Sequence, residues 1–337
     1  MIVGLSLTPF GHGSEAWRQA PQSAQLGFHA FLTQAQEAET AGVDFLLLAD
    51  EFAAPPRDHL SPTATPFDPT LLISALATKV RRIGFLAAQA TAQHAPYHLA
   101  RRFASLDLIS AGRSGWLAIT APDTLERDAE YLEVVNGLWD SFEDETFVYD
   151  KAAGRFFGPE KMHVLNHRGR NFSVRGPLNV NRSPQGQPVV ALLASKTLSP
   201  SLAQRADVIL IAGRSIDGVT ATSEAVRAAV AANGRSPKGV RLLALVAPFA
   251  EEASASVAAL PVGGAADQVA AALIGLVASA NLDGIVALPP TVLAADRFLA
   301  EILPALGERD NRDGQTLRER LGLPRPVHPA TAGEVKP

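Results

Sequence analysis

Short apolar runs alternate with stretches of helical periodicity along most of the chain. Residues 3–7, 44–48, 82–88, 115–120, 188–193, 207–211, 240–246 and 284–287 read as strands. They are near-continuous in apolar side chains, as expected of parallel strands covered on both faces. Between them, Phe31, Ala35, Ala38 and Ala41 followed by Gly42 mark one helix, and 70–77 a second. In 96–109, Leu99, Phe103, Leu106 and Ile109 or Leu108 recur at helical spacing, an apolar stripe expected to face a core. Pro96 stands where a missing N–H costs little, and Gly112 where a left-handed cap is wanted. Further helices are expected over 125–141, 218–232, 265–280 and 294–306. From Glu143 to Gln187 the pattern breaks, with frequent Gly, Pro and Asn. Eight buried strands, most followed by a helix, predict an α/β fold: a (β/α)8 TIM-type barrel with an excursion between its fourth and fifth strands. The alternative is an open doubly wound sheet, but no Gly-x-Gly-x-x-Gly follows any of the runs. One barrel domain is expected over 1–326, with a tail over 327–337.

Composition narrows the class. Hydrophobic residues make up 47% and charged ones 19%, which excludes a disordered chain. A net charge of -4 offers no electrostatic argument for nucleic acid or an anionic membrane. There is no cysteine, so disulfides and thiolate chemistry are excluded. The start reads as a first strand rather than a signal peptide, and no run approaches the ~20 apolar residues of a membrane span. A cytoplasmic location is the expectation.

In such a barrel, ligand chemistry gathers at the carboxyl ends of the strands. The polar residues there are His12, Glu15, Trp17 and Arg18; Asp50 and Glu51; Thr91, Gln93, His94, Tyr97 and His98; Thr120; and Ser195 with Lys196. Arg101, Arg102 and Arg113 read as a solvated helix face or as partners of Asp107. No His-Glu-x-x-His, P-loop or Gly-x-Ser-x-Gly stands among the motifs. The histidines are scattered without the spacing of a metal site. A ring of mostly uncharged polar groups suits an organic cofactor that is held by hydrogen bonds and brings its own reactivity.

Several long strings carry a family resemblance. They are Gly11-His12 with Ala16-Trp17-Arg18; F-L-L-L-A-D from Phe45 to Asp50; P-Y-H-L-A-R-R-F-A-S-L-D from Pro96 to Asp107; and 110–116. Further strings are E-V-V-N-G-L-W-D from Glu133, F-S-V-R-G-P-L-N-V-N-R-S-P-Q-G from Phe172 and T-L-R-E-R-L-G-L-P-R-P from Thr316. In this order they resemble the bacterial luciferase-like flavin monooxygenases. The branch is the one with the nitrilotriacetate, EDTA, dibenzothiophene-sulfone and long-chain alkane monooxygenases. The resemblance implies a TIM-type barrel and FMN, taken up as FMNH2 from a separate NAD(P)H:flavin reductase. It implies insertion of one O2 oxygen atom into a small organic substrate through a flavin C4a-peroxide, and a homodimer. By the same resemblance, Asp50, Thr91, Tyr97, Ser195 and Lys196 would bind the cofactor, while His12 and His98 would serve as catalytic groups.

The strings also depart from the family pattern. Leu117 follows Gly115-Trp116 where relatives have Asn. The phosphate loop, an Ala-Gly-x-Ser-x-x-Gly type in relatives, is here Leu192-Leu193-Ala194-Ser195-Lys196-Thr197-Leu198, without its glycines. Backbone then cannot approach an anion as closely, and the Lys196 charge is the candidate replacement. These departures define a second reading: a luciferase-like paralogue with a degenerate flavin site that serves as a non-catalytic binding or partner subunit.

Overall fold

The computed structural model describes residues 1–13, 16–20, 27–49, 67–196, 198–236, 239–251, 258–309 and 313–331. In chain order the elements are β1 (Ile2–Ser6), α1 (Ala16–Gln19), α2 (Phe28–Ala41), β2 (Phe45–Leu48), α3 (Pro69–Leu76), β3 (Gly84–Ala90), α4 (Pro96–Ile109), β4 (Ser114–Ile119) and α5 (Leu125–Trp139). An excursion follows, with β5 (Phe147–Asp150) paired to β6 (Arg155–Phe157) and β7 (His167–Arg168) to β8 (Ser173–Val174). The repeat resumes with β9 (Val189–Ala194), α6 (Pro200–Ala203), β10 (Val208–Ile211), α7 (Ile216–Ala232), β11 (Arg241–Pro248), β12 (Leu260–Val262), α8 (Ala266–Ser279), β13 (Gly284–Ala287), α9 (Val292–Arg297) and α10 (Leu317–Arg320).

Among the described residues, eight parallel strands run in the order β10-β9-β4-β3-β2-β1-β13-β11, and pairing of β10 with β11 closes the circle. The expected barrel is therefore present, and the eight sequence runs are its strands. Alternate side chains divide the core in two. Val3, Leu5, Phe85, Ala87, Trp116 and Leu192 pack outward against the helices. Phe45, Leu47, Leu86, Leu117, Val189, Leu210, Leu243 and Val286 fill the barrel itself. Helix ends follow local chemistry. Asp68 caps α3 by accepting from Thr70 N and Leu71 N, and Gly42 ends α2 at φ 87°.

Several details differ from the sequence reading. The helix expected over 294–306 is broken into α9, a π turn at Phe298–Ile302 and a 3-10 turn at Leu303–Leu306. Pro304 has no N–H to continue an α-helical ladder. Arg113 does not sit on a solvated face or reach Asp107. It is buried and donates to the carbonyls of Ser110, Ile83, Ala77 and Val80, which the ends of α3 and α4 leave open. Asp107 accepts instead from Ser114 N and Oγ (both 3.0 Å), Gln185 Nε2 (2.8 Å) and Ser183 Oγ. Full burial pushes its carboxyl up to about 6 against those bonds.

Helix α10 is the plug of the barrel's amino-terminal end. Leu317, Leu321 and Leu323 join the interior cluster, and Leu317 N donates to Gly112 O at 2.8 Å. The β7–β8 hairpin is tied to α5 through Glu130, which accepts from His167 Nε2 (3.0 Å), Asn171 N (2.9 Å) and Phe172 N (2.8 Å). Burial alone would raise this carboxyl, but the hydrogen bonds outweigh it and hold it down at about 2. No helix among the described residues is long and apolar enough to cross a membrane.

Candidate active site at the carboxyl ends of the strands

The upper interior of the barrel mixes small side chains with two larger aliphatic ones, Ile119 and Leu288. At the carboxyl ends the inward positions include Ala49, Ala90, Ala212 and Ala247, above bulkier layers at Phe45, Leu86, Leu210 and Leu245. The resulting floor is apolar, suited to the ring system of a ligand. Leu117 is one of the interior residues and is fully buried, so the amide expected there in relatives would have pointed into the barrel.

The loop after β1 delivers His12. Gly11 takes φ 105°, and a Cβ there would lie 2.5 Å from both Pro290 O and Thr291 Cα. Thr8 Oγ1 accepts from Gly11 N at 2.8 Å, and His12 N donates to Pro289 O at 2.9 Å. His12 is thus fastened against the loop after β13. Burial pushes its imidazole down to about 4, although a hydrogen bond with the Ser6 backbone pulls the other way. It is neutral at pH 7. Gly11→Ala is expected to cost about 2 kcal/mol, because it combines a left-handed backbone with a clash against main chain. Denaturant unfolding checks this: a loss below about 0.5 kcal/mol would show that the loop relaxes freely.

The end of β3 carries a polar network. Thr91 is buried, and its hydroxyl donates to Asp128 Oδ1 at 2.7 Å, so toward a ligand it offers only lone pairs. Asp128, in the first turn of α5, also accepts from Thr124 Oγ1 (2.7 Å) and pairs with Arg127 (2.9 Å). Gln89 Nε2 donates to Asp68 Oδ2 at 3.1 Å, which turns its Oε1 toward His94 Nε2 at 2.7 Å. His94 must then carry its proton on Nε2, leaving Nδ1 as the lone-pair nitrogen. Burial, then Arg102, lower the His94 pKa, so this neutral form is favoured. Asp68, Gln89 and Asp128 do not stand out in the sequence, since a carboxylate at a helix start reads as a cap and a glutamine inside a strand as a neutral filler.

Tyr97 and His98 open α4, as expected. Tyr97 is half-buried, with its hydroxyl 3.4 Å from Pro177 O, whereas His98 is exposed, its ring edge-on to Tyr97 at 6.0 Å. Ser195 and Lys196 are exposed just beyond β9. Ala212 N donates to Ala194 O at 2.7 Å, which sets the end of β10 directly beside them. There the chain reads Ala212-Gly213-Arg214-Ser215-Ile216-Asp217-Gly218, the Ala-Gly-x-Ser-x-x-Gly spacing one strand later than expected. A Cβ at Gly213 would lie 2.8 Å from the Val219 side chain, and Ser215 caps α7 by accepting from Gly218 N. Arg214 is exposed at this rim. Asp50 lies outside the described residues.

Elsewhere, the cavity between β1, α2 and α9, lined by Leu5, Gln34 and Leu299, measures about 20 Å³, room for about one water. A groove of about 460 Å³ beside it holds Glu37 and Asp296, both raised by burial. The small cavity touches the loops after β1 and β13 through Thr8, Gly11, Pro289 and Thr291, whereas the groove is lined by α2 and the segment 296–300, away from those loops.

The family model for luciferase-like monooxygenases matches residues 8–282. The chain is 36% identical over 267 residues to the N-acetyl-S-(2-succino)cysteine monooxygenase of Bacillus subtilis (strain 168), covering 73% of this chain and 60% of that protein. It is 38% identical over 290 residues to a subunit of the pristinamycin IIA synthase of Streptomyces pristinaespiralis, covering 86% of this chain and 87% of that one. Among solved structures, EDTA monooxygenase from Chelativorans sp. BNC1 superposes with a TM-score of 0.80 at 25% identity, covering 96% of this chain and 98% of that one. The chain thus spans about 60% of the Bacillus enzyme but most of the synthase subunit. It belongs to the luciferase-like monooxygenase family.

Proposed function

We propose that this chain is the oxygenase component of a two-component system. It would take reduced FMN from a separate NAD(P)H:flavin reductase and use it to insert one atom of O2 into a small organic substrate. Family membership and the donor set at the barrel mouth support the reading. The observation that carries it is the rim of adjacent strands β9 and β10, where Ser195, Lys196, Arg214 and Ser215 gather two cations and two hydroxyls. Such a set suits a phosphate monoester, and the apolar floor beside it suits a ring system. The residues present therefore fit FMN, with charge at Lys196 and Arg214 taking over from a glycine-rich backbone cradle.

Bound reduced flavin supplies the electrons that activate O2; the protein supplies binding, orientation and a dry site. Lys196 and Arg214 neutralise the phosphate. The buried His12, neutral at pH 7, offers a hydrogen-bonding ring on the side of the β1 loop without bringing in a charge. Tyr97 and His98 flank the mouth from α4, and Thr91 holds the β3 end to α5.

Comparing FMN with riboflavin tests the assignment. Lys196→Ala and Arg214→Ala are each expected to weaken FMN about tenfold while leaving riboflavin within about twofold, since only FMN loses a charge-assisted contact. Equal losses for the two ligands would remove both residues from the phosphate site.

Two observations favour a second reading. One relative, matched over 86% of this chain and 87% of its own length, is a synthase subunit, and Leu117 makes the barrel interior apolar where the family places an amide. On that reading the chain pairs with a catalytic oxygenase subunit and binds no flavin.

A further inference from the structure

Beside the plugged end of the barrel, three side chains from separate segments converge. Glu143 follows α5, His163 follows the short turn at Pro159–Lys161, and His328 follows α10. Each places a potential ligand atom within 4.8 Å of the others. Main chain builds much of the convergence. Glu143 N donates to Lys161 O at 3.1 Å, His163 N donates to Ser141 O at 2.8 Å, and Phe142 and Met162 pair between them. The side chains then meet, with His163 Nε2 2.8 Å from Glu143 Oε1. His328 is buried, its ring 5.1 Å from that of His163.

The His328 tautomer follows from its neighbours. Nε2 faces the Asp140 carbonyl at 3.0 Å, so it carries the proton, and Nδ1 accepts from Ala330 N at 3.1 Å. A backbone carbonyl holding one imidazole nitrogen, with the lone pair on the other, is the support that metal-bound histidines use.

We propose that Glu143, His163 and His328 bind a divalent transition-metal ion of the zinc type, which clamps the C-terminal segment onto the excursion. Two imidazoles and a carboxylate form a borderline donor set that suits Zn2+, with water completing the tetrahedron. Magnesium and calcium call for more oxygen ligands. The surrounding charge does not oppose a dication: Asp140, Glu143 and Asp144 face Arg182 and Arg325, a balance of one negative charge. Both arginines are already paired with the aspartates. The metal replaces the His163–Glu143 hydrogen bond and the Ala330 N–H contact with bonds of about 2.0–2.2 Å. The His163 side chain is 39% exposed, so an ion has a path from solvent to the cluster. This site is separate from the barrel mouth and stands or falls independently of the flavin.

The test uses the full chain freed of metal with a chelator, titrated with Zn2+ by calorimetry and with Co2+ as a visible-absorption probe. One equivalent of Zn2+ at micromolar affinity is expected, with the strong d–d bands of four-coordinate Co2+. His163→Ala and Glu143→Gln should each weaken Zn2+ at least about tenfold and abolish the zinc-induced rise in melting midpoint. His328→Ala should do the same where circular dichroism shows it folded, and the more exposed His163 carries the test where it is not. Unchanged Zn2+ affinity in His163→Ala and Glu143→Gln would overturn the site, as would no uptake by the wild-type chain at millimolar Zn2+.

Discussion

Arg318→Ala is expected to cost about 3–5 kcal/mol of folding stability, read as a lower denaturation midpoint. Arg318 is buried at the barrel's amino-terminal end. Its guanidinium grips Asp207 with two parallel bonds of 2.9 and 2.7 Å and donates to Gln187 O at 3.0 Å. Asp207 in turn accepts from Val190 N at 2.9 Å, so one ion pair joins α10, β9 and β10. Truncating the arginine strands the carboxylate in a poorly solvated place. It also loosens the helix that brings Leu317 into the barrel floor. The double change Arg318→Met with Asp207→Asn should recover much of the loss, because no unpaired charge is left behind. A loss below about 1 kcal/mol in Arg318→Ala would mean that α10 is not a structural plug.

The pH dependence of stability should carry the signature of His12. In the folded chain this imidazole stays neutral down to about pH 4, while in the unfolded chain it titrates near its ordinary 6.5. Between those values the unfolded state binds the proton and the folded state does not. Stability attributable to His12 is therefore fully present above pH 6.5 and is lost as pH falls toward 4. The loss is about 3.5 kcal/mol at most, since each tenfold difference in proton affinity between the two states is worth ~1.4 kcal/mol. Asp107 runs the other way: its raised carboxyl favours the folded state as it protonates between about 6 and 3.8. The difference between wild type and His12→Gln isolates the histidine. That difference should shrink steadily from about pH 7 to pH 4. A constant difference would show that His12 is protonated alike in both states.

The barrel is legible in the sequence because its strands are buried on both faces. Runs such as Phe45–Leu48 and Val208–Ile211 have no polar position to disguise them. Helices α2, α4 and α5 show themselves through apolar spacing, and Gly42 and Gly112, both left-handed in the structure, mark where the first two end. The branch resemblance is legible too, and the comparisons bear it out. Helix α10 is not: four residues, three of them charged, show no apolar stripe, and only the tertiary fold shows Leu317 facing the barrel interior. The β7–β8 hairpin is legible only in part: 171–174 reads as extended, but strands two residues long that Glu130 on α5 anchors leave no pairing pattern.

The site is legible in outline only. Strand ends point to Thr91, but not to its hydroxyl being turned toward Asp128, which depends on how α5 packs. The loop after β9 draws the eye away from Gly213, Arg214 and Ser215 after β10, although the Ala-Gly-x-Ser-x-x-Gly spacing is there to be read. Only the pairing of β9 with β10 shows that the two loops share one rim.

The most direct test of the flavin reading is anaerobic titration of the purified chain with reduced FMN, followed by admission of O2. Micromolar binding is expected, with an oxygenated flavin absorbance that persists longer than that of free flavin. No binding up to millimolar reduced FMN would contradict it, and would turn the search to a catalytic partner chain.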